Sequence, residues 1–237
     1  EDGARRYIRQ KCDTLNEEIK KHYERYINEI QPHFSKVSDL LNKKILYNTY
    51  ADQLDWSYAL FLRWIKRDVE LFREENIPLN QEISILTTEY GEIQSKMTIE
   101  YDWKELTLKQ AEFYLKDKDR EVRKQVREKI VQRRERDAVT LDILLDKLLL
   151  LRNQIAFNTW FSDYASYMHY AKQRFDYSID DVMNFHQSIK TIISPLCKLI
   201  REQRKKSLWF ELRPYDFDVS IYDKQSSACY IDSKDLI

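Results

Sequence analysis

From Tyr7 to Ile30, apolar side chains return every three or four residues, at Ile8, Cys12, Leu15, Ile19, Tyr23, Tyr26 and Ile30. That spacing is one apolar stripe on a helix. Pro32 lacks the N–H that a helix interior needs and should end or interrupt it. A less regular stretch follows from Phe34 to Asp52. Trp56, Ala59, Leu60, Trp64, Val69 and Phe72 then predict a helix closing near Asn76, and Pro78 suits the first turn of another reaching about Gln94. Between Met97 and Leu108 the pattern alternates around Asp102-Trp103-Lys104-Glu105, where a short β-hairpin and an irregular loop fit equally well. From Asp119 the positions Val122, Val126, Ile130, Leu141, Leu144, Leu145, Leu148, Leu151 and Ile155 keep helical spacing with no Pro or Gly before Trp160. They predict a spine of about 40 residues, roughly 60 Å long, with Leu145 as a packing residue whose change to Asp should unfold the chain. Ser178-Ile179-Asp180-Asp181 reads as an N-terminal cap for a helix running toward Lys206, kinked by Pro195 between Ile192 and Leu196. Beyond Leu212-Arg213-Pro214 the periodicity fades.

The pattern predicts an all-α, elongated antiparallel helical array with a long central helix and room for one short hairpin. It divides as a front helical layer over 1–95, a hairpin or loop with a short helix over 96–118, and the long helix with a kinked helical region over 119–237. Only two glycines and four prolines occur in 237 residues, which favours long helices and leaves few residues suited to left-handed turns or phosphate-cradling loops. Forty basic and forty acidic side chains cancel, so no global field draws the chain toward nucleic acid or an anionic membrane. No run approaches the ~18 apolar residues of a membrane span. Three cysteines without close pairing suit a reducing, cytoplasmic setting better than a disulfide framework; Cys12 and Cys197 read as buried, and Cys229 carries no mark of an activated thiol.

A helix-borne zinc site needs two histidines one turn apart. His22, His33, His169 and His186 stand singly, and no Gly-x-Ser-x-Gly elbow is present. The basic run Arg120, Arg123, Lys124, Arg127, Lys129, Arg133, Arg134 and Arg136 invites a nucleic-acid reading. Glu121, Glu128 and Glu135 are interleaved with it, so a solvated helix face is the better expectation. Tyr164, Tyr167, Tyr170, Phe175 and Tyr177 fit helix packing as well as a stacking surface.

An ordered series of short elements spans about 100 residues: Asp119-Arg120-Glu121-Val122-Arg123, Arg152-x-x-Ile155-Ala156-x-Asn158, Phe161, Tyr164, Tyr167-Met168, Arg174-Phe175-Asp176-Tyr177-Ser178-x-Asp180-Asp181, Phe185-His186, Pro195-Leu196 and Leu212-Arg213-Pro214-Tyr215-Asp216. In that order the series resembles the oligoendopeptidase F branch of the thimet oligopeptidase-like zinc peptidases. Trp160 departs from the family pattern, which commonly has Gly before the residue matching Phe161. The resemblance implies an amino-terminal helical lobe of a cytoplasmic zinc oligopeptidase that hydrolyses short peptides inside a channel. The family's His-Glu-x-x-His motif and third Glu ligand would lie beyond Ile237. The expectation is therefore a truncated chain that contains no catalytic or metal residues, holds no zinc and cuts nothing by itself, although the full-length protein uses zinc. Arg213 and Tyr215 are the candidates for lining the substrate channel; an Arg213–Asp216 pair fixing a loop is the structural alternative. The rival function is a helical scaffold or a module binding a partner or RNA, and the oligomeric state is left open.

Overall fold

A computed structural model describes residues 2–221. The chain forms two compact units that interleave in sequence, one of Glu1–Met97 with Arg134–Gln187 and the other of Thr98–Arg133 with Ser188–Ile237. The architecture is all-α with a single two-stranded antiparallel sheet among the described residues.

In the first unit, α1 (Asp2–Cys12) and α2 (Glu17–Arg25) are separate helices where one was expected. Asn16 explains the break, because its side-chain oxygen accepts the N–H groups of Glu18 and Ile19 at 3.1 and 3.2 Å and starts a new helix. The chain then widens into a π turn, Tyr26–Ile30, and continues as α3 (Gln31–Leu46) through the stretch expected to be irregular. Pro32 therefore redirects the hydrogen bonds without ending the helix. Gln31 donates to Tyr26 O, five residues back, and the carbonyls that Pro32 leaves unpaired are taken by Gln81, whose Nε2 lies 3.1 Å from Ile27 O and 3.3 Å from Asn28 O. Next come α4 (Ala59–Leu71) and α5 (Asn76–Ser95), with Pro78 in the first turn of α5 as expected.

The expected spine breaks once. Helix α7 (Arg120–Arg136) ends at Asp137, and α8 (Ala138–Asn158) begins directly after it. Asp137 has φ −102° and ψ 2°, and its N–H turns to Arg134 O, a bridge conformation that a short polar residue tolerates without Gly or Pro. Helix α8 packs on α5 through Leu86, Leu144 and Leu148, with Ile83, Ile93 and Leu151 around them. Leu144 is 4% exposed and Leu145 49%, so the packing role expected of Leu145 belongs to its neighbour. Asn158 donates to Asn76 Oδ1 at 2.7 Å while Asn76 donates to Ile155 O, tying the end of α8 to the start of α5. A short helix, α9 (Tyr164–Ala171), packs on α8 and α4.

The second unit holds the hairpin, β1 (Thr98–Tyr101) with β2 (Lys104–Thr107), paired Thr98 to Thr107 and Tyr101 to Lys104. Asp102 and Trp103 both take left-handed φ values, 52° and 59°, the requirement of a two-residue I′ turn. Thr107 closes the sheet and caps α6 (Leu108–Glu112) reciprocally with Gln110. Ile99, Leu108, Ala111, Leu115, Val126, Ile130 and Val219 are the buried apolar side chains of this unit among the described residues. In the first unit Ser178 caps α10 (Ile179–Ser188) as expected, exchanging bonds with Asp181. At Pro195 the solution seen at Pro32 recurs: a π turn, Ile189–Ile193, precedes α11 (Ser194–Leu208), and Ser194 donates to Ile189 O.

The shortage of glycine does not prevent left-handed turns. Both glycines lie inside helices, and Asp102, Trp103, Trp160, Gln173 and Trp209 take the positive φ values instead. Cys12 and Cys197 are exposed, correcting the expectation that they are buried: each sits on a helix face that nothing among the described residues covers. Cys229 lies outside the described residues.

Candidate functional site around the Arg213 to Asp216 turn

Arg120 and Arg123 are three residues apart on α7 and so project from one helix face. Asp119 Oδ1 fixes the start of that helix by accepting the N–H of Glu121. Both guanidinium groups converge on Asp216. Arg123 Nη2 reaches Oδ1 at 2.8 Å, and Arg120 straddles the carboxylate with Nε 3.2 Å from Oδ1 and Nη2 3.0 Å from Oδ2. The backbone N–H of Arg213 completes the set at 2.9 Å from Oδ2. Asp216 is fully buried and Arg123 is 2% exposed.

Arg123 spends its remaining donors on main-chain oxygens, with Nε to Tyr215 O and Nη1 to Asp117 O and Lys118 O. Arg204 of α11 holds the other side of the turn by donating to Asp216 O and Val219 O. One buried carboxylate and three arginines thus fix the path of the Pro214–Asp216 turn. Burial alone would raise the Asp216 pKa, but hydrogen bonds from Arg120, Arg123 and the Arg213 N–H outweigh it and hold the carboxyl below the ordinary range. The sign of the pH dependence follows. A carboxyl whose folded pKa is depressed adds stability above its unfolded value, near ~3.9, and loses it as pH falls through the folded value. Urea midpoints of the wild type should therefore drop more steeply below about pH 4 than those of Asp216→Asn, and parallel acid profiles would refute this.

The expected Arg213–Asp216 pairing is made by the Arg213 main chain, whereas the ionic partners are Arg120 and Arg123. The Arg213 side chain is exposed and Tyr215 is half-buried. The Tyr215 ring lies 5.3 Å from the Arg120 guanidinium, which also stacks on Phe210 at 4.1 Å. On its outer side Tyr215, with Pro214, Arg127, Glu128, Val131 and Gln132, lines a shallow depression of about 290 Å³. This surface offers an aromatic face beside cationic and acidic neighbours. The solvated face expected for the basic run does not hold at Arg123, which is buried, or at Arg120, which is drawn to the same carboxylate. Arg123 shares the three- and four-residue spacing of buried Val126 and Ile130, and an arginine at an apolar-stripe position was the available signal.

In the first unit the recognisable elements have structural duties. Arg152 lies over Tyr164 at 5.8 Å, and Phe161 packs against Tyr167 and Tyr170. Arg67 and Arg73 line a cavity of about 380 Å³ beside α3, α4, α5 and α9. Both arginines bond helix-terminal carbonyls, Ala171 O for Arg67 and Asn158 O for Arg73. Trp160, at φ 66°, occupies the left-handed position after α8: its N–H donates to Phe157 O and that of Phe161 to Ala156 O, both at 3.0 Å. This is the six-to-one and five-to-two pattern that glycine normally serves. The turn survives the departure from the family pattern, with left-handed strain of about 1 kcal/mol or more carried by a side chain that points into solvent.

His169 Nε2 lies 2.9 Å from Tyr177 O. Among the described residues no three His, Cys, Asp or Glu side chains converge to hold a metal, so these residues do not fit a zinc site. None of the described helices is long and apolar enough to cross a membrane.

The sequence model of Peptidase family M3 matches residues 113–234, a span that contains α7, α8 and the Asp216 turn. Three solved structures share the fold. A structure assigned as oligoendopeptidase F from Bacillus anthracis str. Ames matches 90% of this chain at TM-score 0.84 and 21% identity. A second oligoendopeptidase F structure matches 90% at TM-score 0.84 and 22% identity. PZ peptidase A with an inhibitor matches 89% at TM-score 0.83 and 22% identity. The chain spans only 38–40% of the length of these structures. No curated protein matches. The fold is that of oligoendopeptidase F-like peptidases. The chain belongs to Peptidase family M3.

Proposed function

We propose that this chain is the amino-terminal helical lobe of a cytoplasmic, zinc-dependent oligopeptidase. In this reading it supplies part of the wall of a channel that admits short peptides, while the metal ligands and the catalytic acid or base are carried by polypeptide following residue 237. The observation that carries the reading is the family match over residues 113–234 on a fold that makes up two-fifths of a peptidase. Segment 119–237 leads toward the catalytic portion, and the Arg213 to Asp216 turn, held rigid from beneath by Arg120 and Arg123, presents Arg213 and Tyr215 to the peptide.

The rival RNA-binding reading loses three of the eight cations of the basic run. Arg120 and Arg123 are committed to Asp216, and Lys129 donates to Glu100 O.

The test compares two proteins, the 237-residue chain and the product of the uninterrupted reading frame. The longer protein should contain His-Glu-x-x-His, bind one zinc and cleave an internally quenched peptide of about ten residues; the short one should do neither. A frame that stops at Ile237, a longer product without that motif, or zinc-dependent cleavage by the short chain would each overturn the proposal.

A further inference from the structure

Between Ile189 and Leu208 no residue is buried. Ile189, Ile192, Ile193, Leu196, Leu199 and Ile200 recur every one, three or four residues, so they form a continuous apolar stripe. They are 38–67% exposed. Six branched aliphatic side chains at that exposure present several hundred Å², at or above the ~300–600 Å² of the largest patch on an ordinary soluble monomer. The same segment carries Lys190, Lys198, Arg201, Arg204, Lys205 and Lys206, against which Glu202 is its lone acid. Arg204 and Lys205 are turned to Val219 O and Glu211; Lys198, two residues from both Leu196 and Ile200, lies on the opposite face of α11.

We infer that this face docks an apolar face belonging to the carboxy-terminal part of the same M3 peptidase; the inference rests on the lobe reading above. Two observations select that occupant. The stripe lies inside the segment matched to the family. The fold, though nearly complete in the solved relatives, is only 38–40% of their length, so in those proteins it stands beside a much larger body.

Cys197 flanks the stripe between Leu196 and Lys198 and is exposed, so its thiol reports whether the face is covered. The rate of maleimide labelling at Cys197, read by peptide mass spectrometry, is compared between the 237-residue chain and the uninterrupted product, with Cys12 followed alongside. In the short chain Cys197 should label as fast as Cys12 and independently of concentration. In the long product it should slow by about 50-fold or more, as expected of a thiol that labels only through local opening. Changing Ile192 and Leu196 together to Asp should leave the melting curve of the short chain unchanged and restore fast labelling in the long product. Equal Cys197 rates in both proteins would overturn the inference. So would protection in the short chain that grows with concentration together with a dimer in sedimentation, which would make a second copy the occupant. Zinc content and peptide cleavage of the long product separate the two claims. An active zinc enzyme with a fast Cys197 removes the docking surface and leaves the function standing, whereas a protected Cys197 in a product without zinc removes the function and leaves the docking surface.

Discussion

Replacing Asp216 by alanine should lower the stability of the second unit by about 3–5 kcal/mol, read as the midpoint shift in urea followed by backbone amide exchange in α7. The size comes from what would be left behind. Arg123 is almost wholly enclosed, and Asp216 accepts from both its guanidinium and that of Arg120. Without the carboxylate, Arg123 keeps three bonds to main-chain oxygens but carries a buried charge with no counter-ion. Asp216→Asn retains an acceptor and loses only the charge, so it should fall between alanine and wild type. Arg123→Met offers the contrasting case. Removing the buried cation leaves Asp216 with Arg120, which is 40% exposed at its side chain and can follow the carboxylate, so the loss should be smaller than for Asp216→Ala. If Asp216→Ala melts within about 0.5 kcal/mol of wild type, the range of an ordinary surface change, the cluster does not fix the turn, and Arg213 and Tyr215 lose their claim to a preset position.

What the sequence discloses depends on how local its cause is. Ser178 with Asp181 is a cap readable from four residues, and Pro78 at a helix start is readable from one; both stand in the structure. The family elements were legible because their order persists over a long stretch, and the fold agrees with them. The breaks at Asn16 and Asp137 were not, because the apolar spacing runs through both points while a single polar side chain or backbone angle decides the outcome. At Pro32 and Pro195 the missing N–H is legible in the sequence, but not the remedy. A π turn needs a carbonyl partner from elsewhere, and at Pro32 that partner is Gln81, some fifty residues on. The Asp216 cluster is the clearest case of a non-local cause: Arg120 and Arg123 are more than ninety residues from the carboxylate, and each looks like an ordinary surface charge in its own segment.

Helix α8 shows the same limit and supplies the sharpest stability test. It is apolar on nearly every side, with Ile143, Leu145, Leu149 and Leu150 exposed while Leu144 and Leu148 are buried against Leu86. Periodicity cannot choose among so many candidates, since any three- or four-residue walk along the helix meets leucines. Leu144→Asp should therefore abolish folding of the first unit, because a carboxylate would be forced among Leu86 and Leu148 with no polar partner. Leu145→Asp, one residue away, should stay within about 0.5 kcal/mol of wild type. Because the first variant is expected to be insoluble, Leu144→Ala supplies the measurable figure, a loss of about 2–5 kcal/mol for a buried leucine, with Leu145→Ala as its near-neutral partner. The comparison is made by circular dichroism melting and urea titration of the 237-residue chain. Equal losses at the two positions, or a larger loss at Leu145, would mean that a different face of α8 meets α5. The Leu86–Leu144–Leu148 core would then not be what holds the two helices together.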